Sequence, residues 1–192
     1  AVIPMCSFIA TAKKKRSVFI TDPKGEIFNT TSKMFKDNGY NVLTLDFRHP
    51  EMSNHFNILE PIIKEYEKYI DYEKKSIVSK KDRIKYNNLA MTSLAETNRL
   101  ITSLATMIMQ EKTQQKDPFW NNSARNLLEG LIGFFLEEYK KNNIKRNQIT
   151  MTSIRKFQNS SMQEKNFNKF KAYIDKKDYG SKSKDSLTSI LN

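Results

Sequence analysis

Residues 119–139 read FWNNSARNLLEGLIGFFLEEY. Within them Leu127, Leu128, Leu131, Ile132, Phe135 and Leu136 recur at helical spacing and cover much of the circumference. A helix that is apolar on most sides must be enclosed by other elements. This segment is therefore expected at the centre of a helical assembly. Gly130 and Gly133 lie inside it, where a close helix crossing is a better reading than a ligand loop. The material to enclose it is present. Periodic apolar positions predict helices over residues 61–70, 89–110, 152–159, 164–176 and 183–192. Residues 74–88 are polar and read as a loop or a weak helical continuation.

The first quarter of the chain carries a different pattern. Residues 17–22 (SVFITD) are β-branched and aromatic and end at the turn Pro23-Lys24-Gly25. A helix is predicted over residues 26–38, with Ile27, Thr31, Met34 and Phe35 on one face and Gly39 as its stop. Residues 41–47 (NVLTLDF) read as a second strand. Two such strands joined by a helix predict a parallel βαβ unit with a right-handed crossover. The expected fold class is thus α/β plus all-α. Half of a nucleotide-binding core would occupy residues 1–110 and a helical domain residues 111–192, with the boundary near residues 110–118.

Composition narrows the chemistry. Cys6 is the single cysteine, so an internal disulfide framework is excluded, and with only His49 and His55 beside it no metal site is expected. Both histidines read as polar loop residues. No apolar run approaches the roughly 20 residues that span a bilayer. The opening residues place their positive charge after the apolar stretch, the reverse of a secretory leader, and the chain starts without Met. Both features fit an internal piece of a longer protein. The formal net charge is +12. It rises along the chain, from +2 over residues 1–60 through +3 over 61–110 to +7 over 111–192. Such an excess suits an anionic partner such as nucleic acid, anionic lipid or an acidic protein, and serves solubility equally well.

Three local features carry chemistry. In TDPKGE (residues 21–26) Asp22, Lys24 and Glu26 stand where a strand ends and a helix begins, the edge at which open α/β sheets bind ligands. The same residues also make an ordinary Pro-Gly turn with Glu26 favouring the helix N-terminus. Asp117-Pro118-Phe119-Trp120 opens the central helix. Its two rings suit stacking on bases, and suit better the anchoring of the helix to its own core. Lys140, Lys141, Lys145 and Arg146 form the densest basic group of the last third, followed by Arg155 and Lys156. Lys13-Lys14-Lys15-Arg16 reads as a solvated turn. The glycines Gly25, Gly39, Gly130, Gly133 and Gly180 form neither GxxxxGK[ST] nor GxGxxG, so no phosphate cradle is complete.

Taken in order, Val2-Ile3-Pro4, SVFITDPKGEIF, YNVLTLDFRHPEMSNHFNIL and DPFWNNSARNLLEGLIGFFLEEY resemble the type IV secretion coupling proteins, or conjugation coupling ATPases. The likeness spans about residues 2–139. Its two specific blocks are DPKGE and DPFW. Asn57-Ile58-Leu59 replaces the family's NPL, and Met5 stands where Asn is usual. The resemblance implies an internal slice of a RecA-like motor. The P-loop would end just before Ala1, the acidic Walker B strand would follow Asn192, and the all-alpha insertion would be retained.

The resemblance further implies a homo-hexameric ATPase at the cytoplasmic face of the bacterial membrane, using ATP and Mg. This slice would be soluble, bind no cofactor itself and be inactive alone. The family receives relaxase-bound single-stranded DNA, relaxosome components or effector proteins and passes them to a secretion channel. Asp22, Lys24 and Glu26 would border the nucleotide in the complete protein. Lys140, Lys141, Lys145, Arg146, Arg155 and Lys156 would neutralise DNA phosphates. A rival reading is a protein-interaction module that docks relaxosome or accessory factors without touching DNA. A chromosome-type DNA pump is a third, and the DPFW helix argues against it.

Overall fold

The computed structural model describes residues 2–109 and 119–191. Eight α-helices appear among them: α1 (Val2–Thr11), α2 (Glu26–Asp37), α3 (Glu60–Val78), α4 (Arg83–Ile108), α5 (Phe119–Lys140), α6 (Met151–Ser161), α7 (Glu164–Asp175) and α8 (Lys182–Leu191). Short 3-10 turns occupy Pro50–Met52 and Arg146–Gln148. The chain divides into two compact units, Ala1–Phe56 and Asn57–Asn192.

The second unit is built around α5, as its apolar circumference demands. Leu131, Ile132 and Leu136 are fully buried, and Leu128 and Phe135 nearly so. Ile62, Ile63 and Tyr66 of α3, Ile101, Leu104 and Ala105 of α4, Ile154 of α6, Phe170 and Ile174 of α7 and Leu187 and Leu191 of α8 complete one continuous core. The polar stretch 74–88 is mostly helical: α3 runs on to Val78, a short break covers residues 79–82, and α4 starts at Arg83. Such a tight connection folds α4 back along α3 as a helical hairpin. Small buried residues on α4 (Ala90, Ser93 and Thr97) let the two backbones approach, and Thr97 satisfies its hydroxyl on the Ser93 carbonyl at 2.8 Å.

Gly130 is where α5 meets α8. A Cβ at this position would lie 2.5 Å from Leu187 Cγ, so the close crossing expected from the paired glycines is present and needs the missing side chain. Across α5, α6 and α7 the aromatic rings interlock. Phe134 stacks on Phe157 with centroids 5.0 Å apart, and the Phe170 ring stands edge-on to both at 5.5 and 5.3 Å.

The first unit is smaller. Helices α1 and α2 pack around Cys6, Ala10 and Phe35, with Ile9, Ile20, Ile27, Met34, Tyr40 and Val42 half-buried against them. The expected parallel βαβ unit is not formed, and the α/β half of the fold class is corrected to all-helical: among the described residues there is no strand. The physical reason lies in the backbone hydrogen bonds. A strand exists only as a member of a ladder. Residues 41–47 spend their backbone groups on the following loop instead. Thr44 N–H donates to Asn54 Oδ1 at 2.8 Å, Asn54 N–H returns to the Thr44 carbonyl at 2.8 Å, and Asp46 N–H donates to Ser53 Oγ at 3.0 Å. The strand-like alternation survives without a sheet: Val42, Thr44 and Asp46 are half-buried while Leu43, Leu45 and Phe47 face solvent. Phe19 and Phe47 are 90% and 92% exposed.

Candidate functional site

The turn before α2 is organised by Asp22. Its Oδ1 accepts the Gly25 N–H at 3.0 Å and its Oδ2 the Phe28 N–H at 2.8 Å. Both carboxylate oxygens thus serve donors at the start of α2 that have no partner inside the helix. The reversal needs Gly25, whose φ of +78° is a left-handed conformation that a side chain would strain. Lys24 and Glu26 are exposed, with no ion pair among the described residues. At this turn the amides that open α2 are turned onto the Asp22 carboxylate.

The basic group after α5 separates into two kinds of cation. Lys140, half-buried, and Arg146, still exposed, are both paired to carboxylates of α3. Lys140 Nζ lies 2.6 Å from Glu73 and 2.7 Å from the Tyr69 hydroxyl, and 4.5 Å from the centroid of that ring. Burial opposes the Lys140 charge, but Glu73 and Tyr69 outweigh it and hold the ammonium above its ordinary range. Arg146 forks onto Glu60 at 2.8 and 3.2 Å and reaches Glu67 with Nε at 2.9 Å. That guanidinium holds the Glu60 carboxyl below the usual carboxylate range. Both cations pin the end of α5 to α3. Lys145, Arg155 and Lys156 are exposed and make no ion pair among the described residues. Lys141 is intermediate, with Glu138 at 4.0 Å and the Tyr173 ring at 5.9 Å.

Of the DPFW block, Asp117 and Pro118 lie outside the described residues. Phe119 and Trp120 are 61% and 69% exposed and pack edge to face on each other at 5.3 Å. They do not anchor α5 in its core, which begins at Leu128.

Sequence reasoning missed a buried polar network along α5. Lys177, whose side chain is 5% exposed, lies 2.6 Å from Glu137 and 3.1 Å from Glu138, with the Phe134 ring at 5.0 Å. Glu137 also accepts the Ser183 N–H at 3.0 Å and the Ser183 hydroxyl, which caps α8. Glu138 takes hydrogen bonds from Asn143 at 2.7 Å and Tyr173 at 2.9 Å. Burial raises the Glu138 carboxyl, but Asn143, Lys177 and Tyr173 together bring it below the usual range. Two turns earlier Glu129 bridges Lys182 and the Thr102 hydroxyl, which joins α4, α5 and α8. The available signal was a Glu-Glu pair within the most apolar helix, since buried carboxylates require partners. Among the described residues no group of His, Cys, Asp or Glu is arranged to hold a metal ion. No helix among them is long and apolar enough to cross a membrane.

A family model for type IV secretory system conjugative DNA transfer matches residues 7–188. The chain belongs to that family. The match runs through the DPKGE turn, the α3–α4 hairpin and the helices around α5, so both units are family sequence. Comparison with curated proteins and with solved structures finds no match. Membership indicates a role in conjugative DNA transfer by type IV secretion.

Proposed function

We propose that this chain serves conjugative DNA transfer as part of a coupling ATPase. It recruits relaxase-bound single-stranded DNA or protein substrates and feeds them toward a secretion channel, with the Asn57–Asn192 unit as the recruiting surface. The observation that carries this reading is the sorting of positive charge. Lys140 and Arg146 are neutralised by Glu73, Glu60 and Glu67, whereas Lys145, Arg155 and Lys156 stand in solvent with no ion pair among the described residues. Solvent-facing cations release counterions from phosphates without reading sequence. Cations already paired to carboxylates contribute far less. The hexamer, ATP and Mg belong to the whole motor in this reading, and no step is placed on residues of this chain.

The test is fluorescence anisotropy of a labelled single-stranded oligonucleotide at two salt concentrations. Binding is expected, and it should weaken steeply with salt. Reversing Lys145, Arg155 and Lys156 to Glu should lower affinity at least about tenfold and reduce the salt slope by about 2, from roughly 0.7 per phosphate contact on single strands. Lys140→Gln should change binding far less, because its charge is spent on α3. A folded chain that does not bind at low salt overturns the DNA-contacting form of the proposal. Recruitment through protein alone, tested by relaxase pull-down, would then replace it.

A further inference from the structure

A second surface of the helical unit is distinct from these cations. Between α6 and α7, over Phe134 of α5, lies a groove of about 370 Å³. Phe134, Phe157 and Tyr173 line it together with Ser160, Asn166 and Lys169. On α7 the lining residues Asn166, Lys169, Phe170 and Tyr173 recur at helical spacing, so one face of that helix is turned into the groove. The corner is held in place. Asn166 Nδ2 donates to the Ser160 carbonyl at 2.9 Å, and the three phenylalanine rings are locked against one another. The groove is therefore preformed.

We propose that this groove docks an acidic peptide segment of a partner protein through one bulky apolar side chain. Two observations select that occupant. The first is shape. The Phe134 and Phe157 faces are used on each other, Phe170 is buried, and the Tyr173 ring, 40% exposed, has the Lys177 and Lys141 ammonium groups over it at 5.5 and 5.9 Å. The three phenylalanine rings offer no free face of the kind on which a nucleic-acid base stacks, and the Tyr173 ring is shared with two lysines. A concave site walled by ring edges takes a side chain instead. The second is charge. Lys169 is the charged residue in the lining, and Lys165, one turn earlier on α7, shares its face. Neither makes an ion pair among the described residues, and no carboxylate lines the groove. Cations around an apolar slot match carboxylates flanking an apolar residue, an arrangement that sets orientation and specificity. This inference goes beyond the DNA reading and does not depend on it, since it uses neither Lys145, Arg155 nor Lys156.

The probe is a fluorescein-labelled short peptide of Asp, Glu and Ser around a single central Trp, titrated into the chain. Binding is expected. Replacing the Trp by Ala should weaken it about tenfold or more, as loss of a central anchor does. Ser160→Trp, which fills the mouth from an exposed position, should weaken it similarly. Lys165→Glu with Lys169→Glu should weaken it further and remove its salt dependence. Circular dichroism checks that each variant is folded. The proposal is overturned if the Trp and Ala peptides bind alike, or if Ser160→Trp leaves affinity unchanged. It also fails if oligothymidylate displaces the peptide and its own binding is lost on Ser160→Trp, because the groove is then a nucleic-acid site. Loss of DNA binding on reversing Lys145, Arg155 and Lys156, with peptide binding intact, separates the two readings.

Discussion

The two units use their apolar residues differently. In Asn57–Asn192 the large side chains converge on α5, and even the buried charges Glu129, Glu138 and Lys177 find partners, with Glu137 and Lys182 half-buried beside them. In Ala1–Phe56 only Cys6, Ala10 and Phe35 form a buried cluster among the described residues. Met5, Phe8, Phe19, Leu43, Leu45 and Phe47 stand in solvent. The difference is not one of hydrophobic content. Helices satisfy their own backbones, so an amphipathic set can bury its faces against one another. The extended segments of the first unit have no ladder partner, and their outer faces stay uncovered.

The comparison is broken most directly by deleting core volume. Leu131→Ala, at the centre of α5, should lower the urea unfolding free energy of the helical unit by about 2–5 kcal/mol. A loss below about 1 kcal/mol would mean that α5 is not the centre of a packed core. Next in size is Lys177→Met, which leaves Glu137 and Glu138 without their shared buried cation. A loss of about 3 kcal/mol is expected, the scale seen when one partner of a buried pair is removed. Glu137→Gln combined with Glu138→Gln in the Lys177→Met background should restore part of it, since the uncompensated charge is then gone.

A smaller effect is expected from acid. The folded Glu138 carboxyl lies below its unfolded value. Its contribution is therefore present above the unfolded carboxylate range and is lost as pH falls through the folded value. Thermal unfolding of the helical unit should drop across that acidic window, and Glu138→Gln should flatten the drop. An identical pH profile in the variant would remove Glu138 from the network. The smallest effect belongs to the first unit. Phe47→Ser and Phe19→Ser, at exposed positions, should each change stability by less than about 0.5 kcal/mol, as surface substitutions do. A large loss in either would show that these rings are covered in solution.

Much of the helical unit was legible in advance because its signals are local. The periodicity of Leu127 to Leu136 placed α5 at the centre, and the Gly130–Gly133 spacing implied a close crossing. The family was legible too, through the DPKGE and DPFW blocks. The strands were misread for a physical reason. Alternation in residues 41–47 predicts an extended backbone, and their side chains do alternate, but a strand requires hydrogen bonds to another segment. Here Ser53 and Asn54 take those bonds. The roles of the basic residues could not be read either. Lys140 and Lys145 look alike in sequence, yet one meets Glu73 and the other meets water.

By itself the sequence determined the helical periods, the crowded central helix, the positive charge and the kinship with conjugative DNA transfer. Each of these is a property of neighbours along the chain or of composition. Tertiary structure alone decided which cations are free, which carboxylates are buried and where three phenylalanine rings leave a groove. Those depend on side chains distant in sequence meeting in space, where burial and partner distance set the energy of every charge.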